Sequence, residues 1–213
     1  MEVCGFGYSQ VVEITPILLA AGASSRMGRP KPLLDFDGRT CLEIALDAVG
    51  GLGRPIVVLG PSREEILGRV DLSSSTIAIN DQVESGQTAS LKAALARLPA
   101  GAAAFLFYLV DFPLVWRPEV EALVRAFGGP GKDILIPSHA MRRGHPVLCR
   151  RALAEELLAL PDGAPARTVI NALPERLAYV EFPGAYILMD MDTPEDYAGC
   201  LEAYRARVRR EKR

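Results

Sequence analysis

Apolar runs of strand length alternate with segments of helical periodicity along most of this 213-residue chain. The runs predict strands at Ile17–Ala20, Pro55–Leu59, Thr76–Asn80, Phe105–Val110, Ile134–Pro137, Val147–Cys149 and Leu177–Glu181. The segments between and after them predict helices at Thr40–Val49, Arg63–Val70, Ser85–Leu98, Pro118–Phe127, Arg151–Leu160 and Thr193–Arg210. This alternation predicts an α/β fold with a mainly parallel sheet between two layers of helices. We expect Pro16 to open the first strand, because its missing N–H would be awkward inside a central one.

Composition and charge narrow the possible classes of protein. Apolar residues make up 49% of the chain and charged residues 23%, an ordinary globular balance, so we expect residues 1–213 to form one domain. A net charge of −2 argues against nucleic acid as a partner. No apolar run approaches the ~20 residues of a membrane span, and no signal peptide opens the chain, which predicts a cytoplasmic protein. The four cysteines are scattered, which predicts separate thiols and argues against a zinc site.

The loop after the first predicted strand has the composition of a phosphate-binding loop. Its small residues leave backbone N–H groups open to an anion, and Arg26 and Lys31 supply full positive charge. The small residues are Ala20, Ala21, Gly22, Ala23, Ser24 and Ser25. The spacing from Gly22 to Gly28 and the Arg29-Pro30 that follows do not match a P-loop, and the Gly-x-Gly-x-x-Gly fingerprint is absent. We interpret the loop as a nucleotide-binding site of another type.

Acidic residues follow predicted strands at the same edge of the sheet. Asp111 ends a run of almost pure hydrocarbon, so its carboxylate must be exposed in a cleft, paired or bound to a metal. Asp190 and Asp192 alternate in direction, so only one of them can face Asp111. We favour Asp192, because Thr193 starts a helix and turns that position toward the strand ends; capping of the helix is the alternative for Asp192. Two carboxylates beside a triphosphate predict a Mg²⁺ site.

Two further segments carry polar residues with candidate roles. Residues 86–91 open a predicted helix, where Ser90 could reach a base or sugar, although an ordinary helix start is the alternative. Asn80 ends a strand at the same edge. Residues 142–146 form a polar turn in which His145 is either a contact of a second substrate or a structural histidine.

Taken together, these residues resemble the molybdenum cofactor nucleotidyltransferase family, the MobA/MocA-like group of Mg-dependent nucleotidyltransferases. The Leu-Ala-Ala-Gly-x-Ser-x-Arg-Met-Gly…Lys signature covers residues 19–31, and further motifs follow in family order at 80–91, 111–113, 143–148 and 190–196. The resemblance implies a three-layer, Rossmann-like nucleotidyltransferase fold of the GT-A-like type. It also implies roles for individual residues: nucleotide binding by Leu19, Ala20, Ala21, Gly22, Ala23, Ser24, Ser25, Asn80, Gly86, Ser90 and Asp111; phosphate binding in catalysis by Arg26 and Lys31; Mg²⁺ binding by Asp111 and Asp192; and acceptor binding by Arg143, Gly144 and His145.

The resemblance also indicates the substrates. Members that use GTP tend to carry Ala-Gly-Gly where this chain has Ala20-Ala21-Gly22, and the turn at 143–146 resembles members that use CTP. The implied reaction is transfer of CMP from CTP to molybdopterin with release of pyrophosphate, and the implied partners include transient contact with a molybdoenzyme or its chaperone. The acceptor motif is altered at residues 162–167, and Met141 stands where glycine is usual. The acceptor therefore stays open to a sugar phosphate, a polyol phosphate or another cofactor precursor, with GTP as the alternative nucleotide.

A further alternative is a protein that senses nucleotides or chaperones a cofactor without turnover. The presence of both cations and both carboxylates argues against it, because simple nucleotide binding does not require two metal carboxylates. Residues 1–10 extend beyond the usual start of the family and carry no predicted role.

Overall fold

The computed structural model describes residues 12–22, 27–82, 86–127 and 132–211. The strands are β1 (Ile14–Ala20), β2 (Asp35–Phe36), β3 (Arg39–Thr40), β4 (Ile56–Leu59), β5 (Thr76–Ile79), β6 (Ala104–Leu109), β7 (Ile134–His139), β8 (Arg142–Arg143), β9 (Val147–Arg150) and β10 (Leu177–Glu181). The α-helices are α1 (Cys41–Ala48), α2 (Arg63–Leu67), α3 (Gly86–Leu95), α4 (Arg117–Ala126), α5 (Leu153–Leu158), α6 (Arg167–Ala172) and α7 (Pro194–Glu211). Short 3₁₀ helices span Lys31–Leu33, Pro174–Arg176 and Ala185–Leu188.

Within these residues, eight strands form one sheet in the order β10-β7-β9-β6-β1-β4-β5, with β8 paired to β7. Neighbouring strands run parallel except for β9, which is antiparallel to β6 and β7, and the β7–β8 hairpin. The central strand β1 is buried along its whole length, as expected for a strand covered on both faces. The predicted mainly parallel sheet is confirmed.

Helices cover both faces of this sheet. The crossover through α1 runs from β1 to β4, and the crossover through α3 runs back from β5 to β6. Because crossovers between parallel strands are right-handed as a rule, two connections that run in opposite directions along the sheet are expected to pass over opposite faces. Helix α4 packs against α1, and α5 packs against α3, so each face carries a helix pair. The α/β/α class is confirmed.

Pro16 does not open β1, which begins at Ile14, so that expectation was wrong. The carbonyl of Ile14 accepts from Gly53 N on the β4 side, whereas that of Leu19 accepts from Val110 N on the β6 side. Because backbone groups alternate along a strand, the nitrogen of Pro16 faces β4. Pairing with β4 starts only at Ile17, so the proline lies before the shared ladder and removes no hydrogen bond from it.

Smaller elements depart from the expectations in length or were not predicted. The β2–β3 hairpin, β8 and α6 were not predicted, because runs of two to six residues leave too little periodicity to detect. Helices α2 and α5 are shorter than expected. The predicted start of α3 at Ser85, like residues 1–10, lies outside the described residues. None of the helices described here is both long enough and apolar enough to cross a membrane.

Candidate functional site

A cavity of about 330 Å³ lies at the carboxyl ends of β1 and β6. Such ends are where open α/β sheets bind their ligands. Most of the predicted nucleotide-binding and metal-binding residues in the described part of the chain contribute to the wall. The lining residues are Leu19, Ala20, Ala21, Gly22, Met27, Lys31, Pro32, Gly86, Gln87, Ser90, Leu109, Val110, Asp111 and Asp192.

Lys31 joins the two carboxylates that the sequence analysis assigned to a metal. Its ammonium nitrogen Nζ lies 2.7 Å from Oδ1 of Asp192 and 3.2 Å from Oδ2 of Asp111. The three residues come from the loop after β1, the end of β6 and the segment before α7, and only the fold brings them together. This arrangement collects one cation and two anions at one point of the cavity wall.

Asp111 is held in a setting that disfavours its charged form. Burial raises the pKa of Asp111, and the neighbouring Lys31 ammonium lowers it by less, so the net pKa lies above the ordinary value. Its Oδ1 atom is buried and has no hydrogen-bond partner among the described residues. A buried carboxylate oxygen without a donor fits a cation ligand, and hard oxygen atoms are what Mg²⁺ and Mn²⁺ prefer. The residues present therefore fit a divalent metal.

The protein ligands available to such a metal are few. No cluster of three or more His, Cys, Asp or Glu with metal-binding geometry occurs in the ranges that the structure describes. Mg²⁺ is commonly bound by one or two carboxylates together with substrate phosphates, so a pair such as Asp111 and Asp192 is sufficient for it.

The side chain of Asp192 does not cap helix α7, which was the alternative role considered for it. Thr193 and Asp196 cap α7 reciprocally, since Thr193 N donates to Oδ2 of Asp196 at 2.8 Å and Asp196 N donates to Thr193 Oγ1 at 3.2 Å. Met191 N donates to the carbonyl of Asp111 at 3.1 Å, which ties the segment of Asp192 to the end of β6. The carboxylate of Asp192 is thus directed to Lys31, and that of Asp190 is exposed.

Residues behind the cavity hold the Asp111 segment in place, and sequence reasoning missed them. The buried thiol of Cys41 donates to the carbonyl of Val110 at 2.8 Å. The hydroxyl of the buried Tyr108 donates to the carbonyls of Phe112 and Val115 at 2.9 and 3.1 Å. A cysteine at the start of a helix and a tyrosine in an apolar strand carry no signal for this role, because their partners are distant backbone atoms.

Asn80 is not among the residues that line the cavity, and its role in nucleotide binding stays a prediction. Its Nδ2 donates to Ser90 Oγ at 2.8 Å, and its Oδ1 accepts from Gln82 N at 3.0 Å. Both ends of the amide are therefore engaged in joining the end of β5 to α3, and it is Ser90 that reaches the cavity wall. The predicted residues Ala23, Ser24, Ser25 and Arg26 lie outside the described residues.

A second cavity of about 500 Å³ adjoins the first and shares Gly86 and Gln87 with it. The three residues predicted to face the acceptor, Arg143, Gly144 and His145, are in its wall. Arg167 is also there, although it was not among the predicted site residues. The remaining lining residues are Thr88, Phe107, Ile136, Val147, Gly163, Pro165, Ala166 and Ile170.

His145 is packed as a neutral ring. Phe107 meets it edge-on with ring centroids 5.5 Å apart, and Phe112 lies at 4.9 Å. Burial lowers the pKa of His145 to about 4, although a hydrogen bond with the Phe107 backbone acts in the opposite direction. Its buried Nδ1 has no hydrogen-bond partner in the described chain. His145 therefore enters the wall of the second cavity as an uncharged aromatic residue.

Comparison with known proteins places this site in a family context. The family described as MobA-like NTP transferase domain matches residues 16–177. Nicotine blue oxidoreductase from Paenarthrobacter nicotinovorans is 31% identical over 197 residues, which cover 85% of this chain and 93% of that protein. The molybdenum cofactor cytidylyltransferase of Escherichia coli (strain K12) is 28% identical over 191 residues, which cover 88% of this chain and 95% of that protein.

Solved structures are similar over the same extent. Rv0371c from Mycobacterium tuberculosis H37Rv has a TM-score of 0.81 and 29% identity, over 90% of this chain and 98% of that one. A structure of Rv0371c in complex with manganese has a TM-score of 0.77 and 26% identity, over 89% of this chain and 98% of that one. The similarity thus includes a relative whose structure contains a divalent metal.

Proposed function

Since the chain belongs to the MobA-like NTP transferase family and is a nucleotidyltransferase of that group, we propose that it transfers CMP from CTP to the phosphate of molybdopterin, releasing pyrophosphate. The observation that carries this proposal is the meeting of Lys31, Asp111 and Asp192 at one end of a cavity at the strand ends. A site that only binds nucleotides has no need of two carboxylates at that point.

The chain's own residues would act by alignment and charge neutralisation. The backbone from Ala20 to Ser25 would bind the nucleotide, and Lys31 and Arg26 would bind its phosphates. Asp111 and Asp192 would hold Mg²⁺, which supplies Lewis-acid neutralisation of the phosphate oxygens. The acceptor phosphate is already an anion, so no general base is required at the attacking oxygen. The α-phosphorus gains a bond to that oxygen and loses the one to pyrophosphate.

The second cavity would hold the acceptor. Two guanidinium groups, those of Arg143 and Arg167, belong to residues of its wall and suit an anionic phosphate. The flat rings of Phe107 and His145 line the same cavity and suit a planar heterocycle. Gly86 and Gln87 border both cavities, so the two substrates would meet across the first turn of α3.

The choice of CTP is supported by Ala21, which lines the nucleotide cavity where GTP-using members tend to carry glycine. It is supported further by the similarity to a cytidylyltransferase. We propose in addition that residues 1–213 fold as one domain, that the protein works in the cytoplasm, and that it contacts a molybdoenzyme or its chaperone when the product is delivered.

The test is calorimetric binding of CTP, GTP, ATP and UTP with and without Mg²⁺, followed by an assay of pyrophosphate release with molybdopterin. We expect Mg²⁺-dependent binding selective for CTP, and pyrophosphate release that requires the acceptor. A preference for GTP would move the proposal to guanylyl transfer. Absence of nucleotide binding in the presence of molybdopterin would refute it.

Three rivals give different results in these assays. Another acceptor, such as a sugar phosphate or polyol phosphate, would release pyrophosphate when molybdopterin does not. A nucleotide sensor or cofactor chaperone would bind CTP without any turnover. An oxidoreductase, the activity named for one relative, would release no pyrophosphate and would leave CTP intact.

A further inference from the structure

The ammonium of Lys31 lies between the two carboxylates that are proposed to hold the metal. Its Nζ lies within hydrogen-bond distance of Oδ2 of Asp111 and Oδ1 of Asp192 at the same time. The side chains of Lys31 and Asp111 are 18% and 19% exposed, whereas Asp192 is 56% exposed, so this contact is shielded on one side and open on the other. Lys31 thus holds one oxygen of each carboxylate, whereas Oδ1 of Asp111 has no donor among the described residues. A cation approaching Oδ1 of Asp111 from the cavity would lie close to the Lys31 ammonium.

Lys31 and a metal between these carboxylates exclude each other for electrostatic reasons. Two cations on the same pair of oxygen atoms repel strongly in a partly desolvated site. The ion pairs with both carboxylates favour the charged ammonium of Lys31, so its charge has to move aside before a metal can bind the same carboxylates without repulsion.

The backbone at Lys31 is anchored in the core, and the residue lines the first cavity. Lys31 begins the 3₁₀ helix, whose next residues, Pro32 and Leu33, are buried in the core. The flexible four-carbon stem of a lysine lets the charge change partners without movement of that anchor. The nearest new partners would be the phosphates of a nucleotide in the same cavity, which carry more charge than one carboxylate.

We propose that Lys31 is an exchangeable cation that disfavours metal binding until nucleotide binds: the phosphates would draw its ammonium away from Asp111 and Asp192, which would leave both carboxylates available to hold a metal. This proposal rests on the nucleotide and metal roles argued above. Its consequence is an order of loading in which nucleotide promotes metal binding, and by reciprocity metal promotes nucleotide binding.

The test measures Mn²⁺ binding to the full chain at pH 8, from the free Mn²⁺ signal in electron paramagnetic resonance, without nucleotide. We expect Lys31→Met to bind Mn²⁺ about tenfold more tightly than the unaltered protein, because the competing charge is gone. Lys31→Gln, which removes the charge but keeps hydrogen-bonding atoms, should fall between the two. Lys92→Met is the matched control: its side chain is 22% exposed, and it pairs with Asp162, not with the site.

Adding CTP to the same titrations separates the possible outcomes. CTP should tighten Mn²⁺ binding in the unaltered protein and do so less in Lys31→Met, in which there is no ammonium to displace. Equal Mn²⁺ affinity of Lys31→Met and the unaltered protein, with binding lost in Asp111→Asn, would overturn the exchange and leave the metal site standing. Failure of the unaltered protein to bind Mn²⁺ even with CTP would instead refute the proposed function of the site.

Discussion

The two cavities share the first turn of α3 but are built from different kinds of structure. The first lies at the ends of β1 and β6, two neighbouring parallel strands at the centre of the sheet. The second lies beside β9, the antiparallel strand, and the two-residue strand β8, and it is closed by the segment that leads into α6. The first cavity is thus formed by central strands of the sheet, and the second depends on the short strand β8 and on the segment that leads into α6.

The contacts that hold each region differ accordingly. Behind the first cavity, Cys41 and Tyr108 fix the backbone on both sides of Asp111 from within the core. Around the second, Thr88 Oγ1 accepts from Ala166 N at 3.0 Å, and Arg143 donates to Asn171 Oδ1 at 2.6 Å. The second region is thus held by contacts between short elements and loop segments, whereas the first is held by side chains buried in the core.

The largest effect should follow removal of either carboxylate that is proposed to hold the metal, Asp111 or Asp192. We expect Asp111→Asn and Asp192→Asn each to lower the rate of pyrophosphate release by at least about 100-fold, because each loses a ligand and a charge at the reacting phosphate. The measurement is steady-state turnover together with a thermal melt, which should show a folded protein in both cases.

Asp190→Asn is the matched control for this pair. Asp190 is exposed like Asp192, and its charge raises the pKa of Asp111, but it is not among the residues that line the first cavity. We expect turnover within about twofold of the unaltered protein. If Asp190→Asn loses most of its turnover while Asp192→Asn keeps it, Asp190 and not Asp192 is the second metal ligand.

Gly144→Ala should disturb the acceptor region without touching the nucleotide cavity. A Cβ at this position would overlap the carbonyl oxygen of Ile187 and lie 2.7 Å from its Cδ1. We expect a loss of about 1–3 kcal/mol in the free energy of unfolding. We also expect a rise in KM for the acceptor that exceeds any rise in KM for CTP. Chemical denaturation and two-substrate kinetics measure these effects.

The same substitution at Gly199 tests whether the crowding at Gly144 is responsible. Gly199 lies inside α7, and a Cβ there would meet no atom within 4 Å. Gly199→Ala should stabilise the protein by about 0.5–1 kcal/mol, since alanine favours helix. If Gly144→Ala is as well tolerated as Gly199→Ala, the close approach to Ile187 is not a constraint on the acceptor region.

The difference between the two cavities also explains which residues of the site could be predicted from the sequence. Asp111 was identifiable because a charged residue directly after an apolar strand has few places to lie, and parallel strands bring such residues to one edge. Lys31 was identifiable because its loop combines small residues with fixed charge. The contact of Lys31 with both carboxylates could not be predicted, because it depends on side-chain directions across segments up to 161 positions apart.

Other features were beyond prediction for related reasons. The place of Asn80 behind Ser90 follows from the packing of α3 on β5, which no local pattern reports. Arg167 and α6 reach the second cavity through a short helix with too few residues for a periodic signal. The prediction for Pro16 was wrong because a proline is harmful only where its missing N–H would pair with a neighbouring strand. Pairing of β1 with β4 begins after Pro16, at Ile17.

A pH effect on stability should originate in the acceptor region, at His145. Its pKa is about 4 in the folded protein, against 6.5 for an unperturbed histidine, so the unfolded chain binds the proton more readily. Stability is therefore lost as pH falls from about 6.5 toward about 4, and the loss from this residue should reach about 2 kcal/mol at pH 5. The measurement is the free energy of unfolding of His145→Asn at pH 8 and at pH 5. The difference between the two values should be smaller than in the unaltered protein by the contribution of His145.

His139→Asn serves as the matched substitution at the other histidine, whose Nδ1 lies 2.8 Å from the carbonyl oxygen of Phe182. It leaves His145 in place, so the part of the pH dependence assigned to His145 should remain. If His145→Asn shows the same change of unfolding free energy with pH as the unaltered protein, the charged imidazole is tolerated among the aromatic rings. The assignment of His145 as a neutral residue would then be wrong.

The smallest effect should distinguish two buried thiols, one behind each region. Cys41 donates to the carbonyl of Val110 beside Asp111, whereas Cys149 is equally buried in β9. Cys41→Ala and Cys149→Ala should each cost about 1–2 kcal/mol in unfolding free energy through lost packing. Only Cys41→Ala should also lower kcat, by about threefold, because the end of β6 loses its restraint and the carboxylate of Asp111 is held less well.

Cys41→Ser, which can still donate to the carbonyl of Val110, should recover that activity. Equal changes in kcat for the two alanine variants would show that the thiol at Cys41 does nothing for the site beyond filling the core.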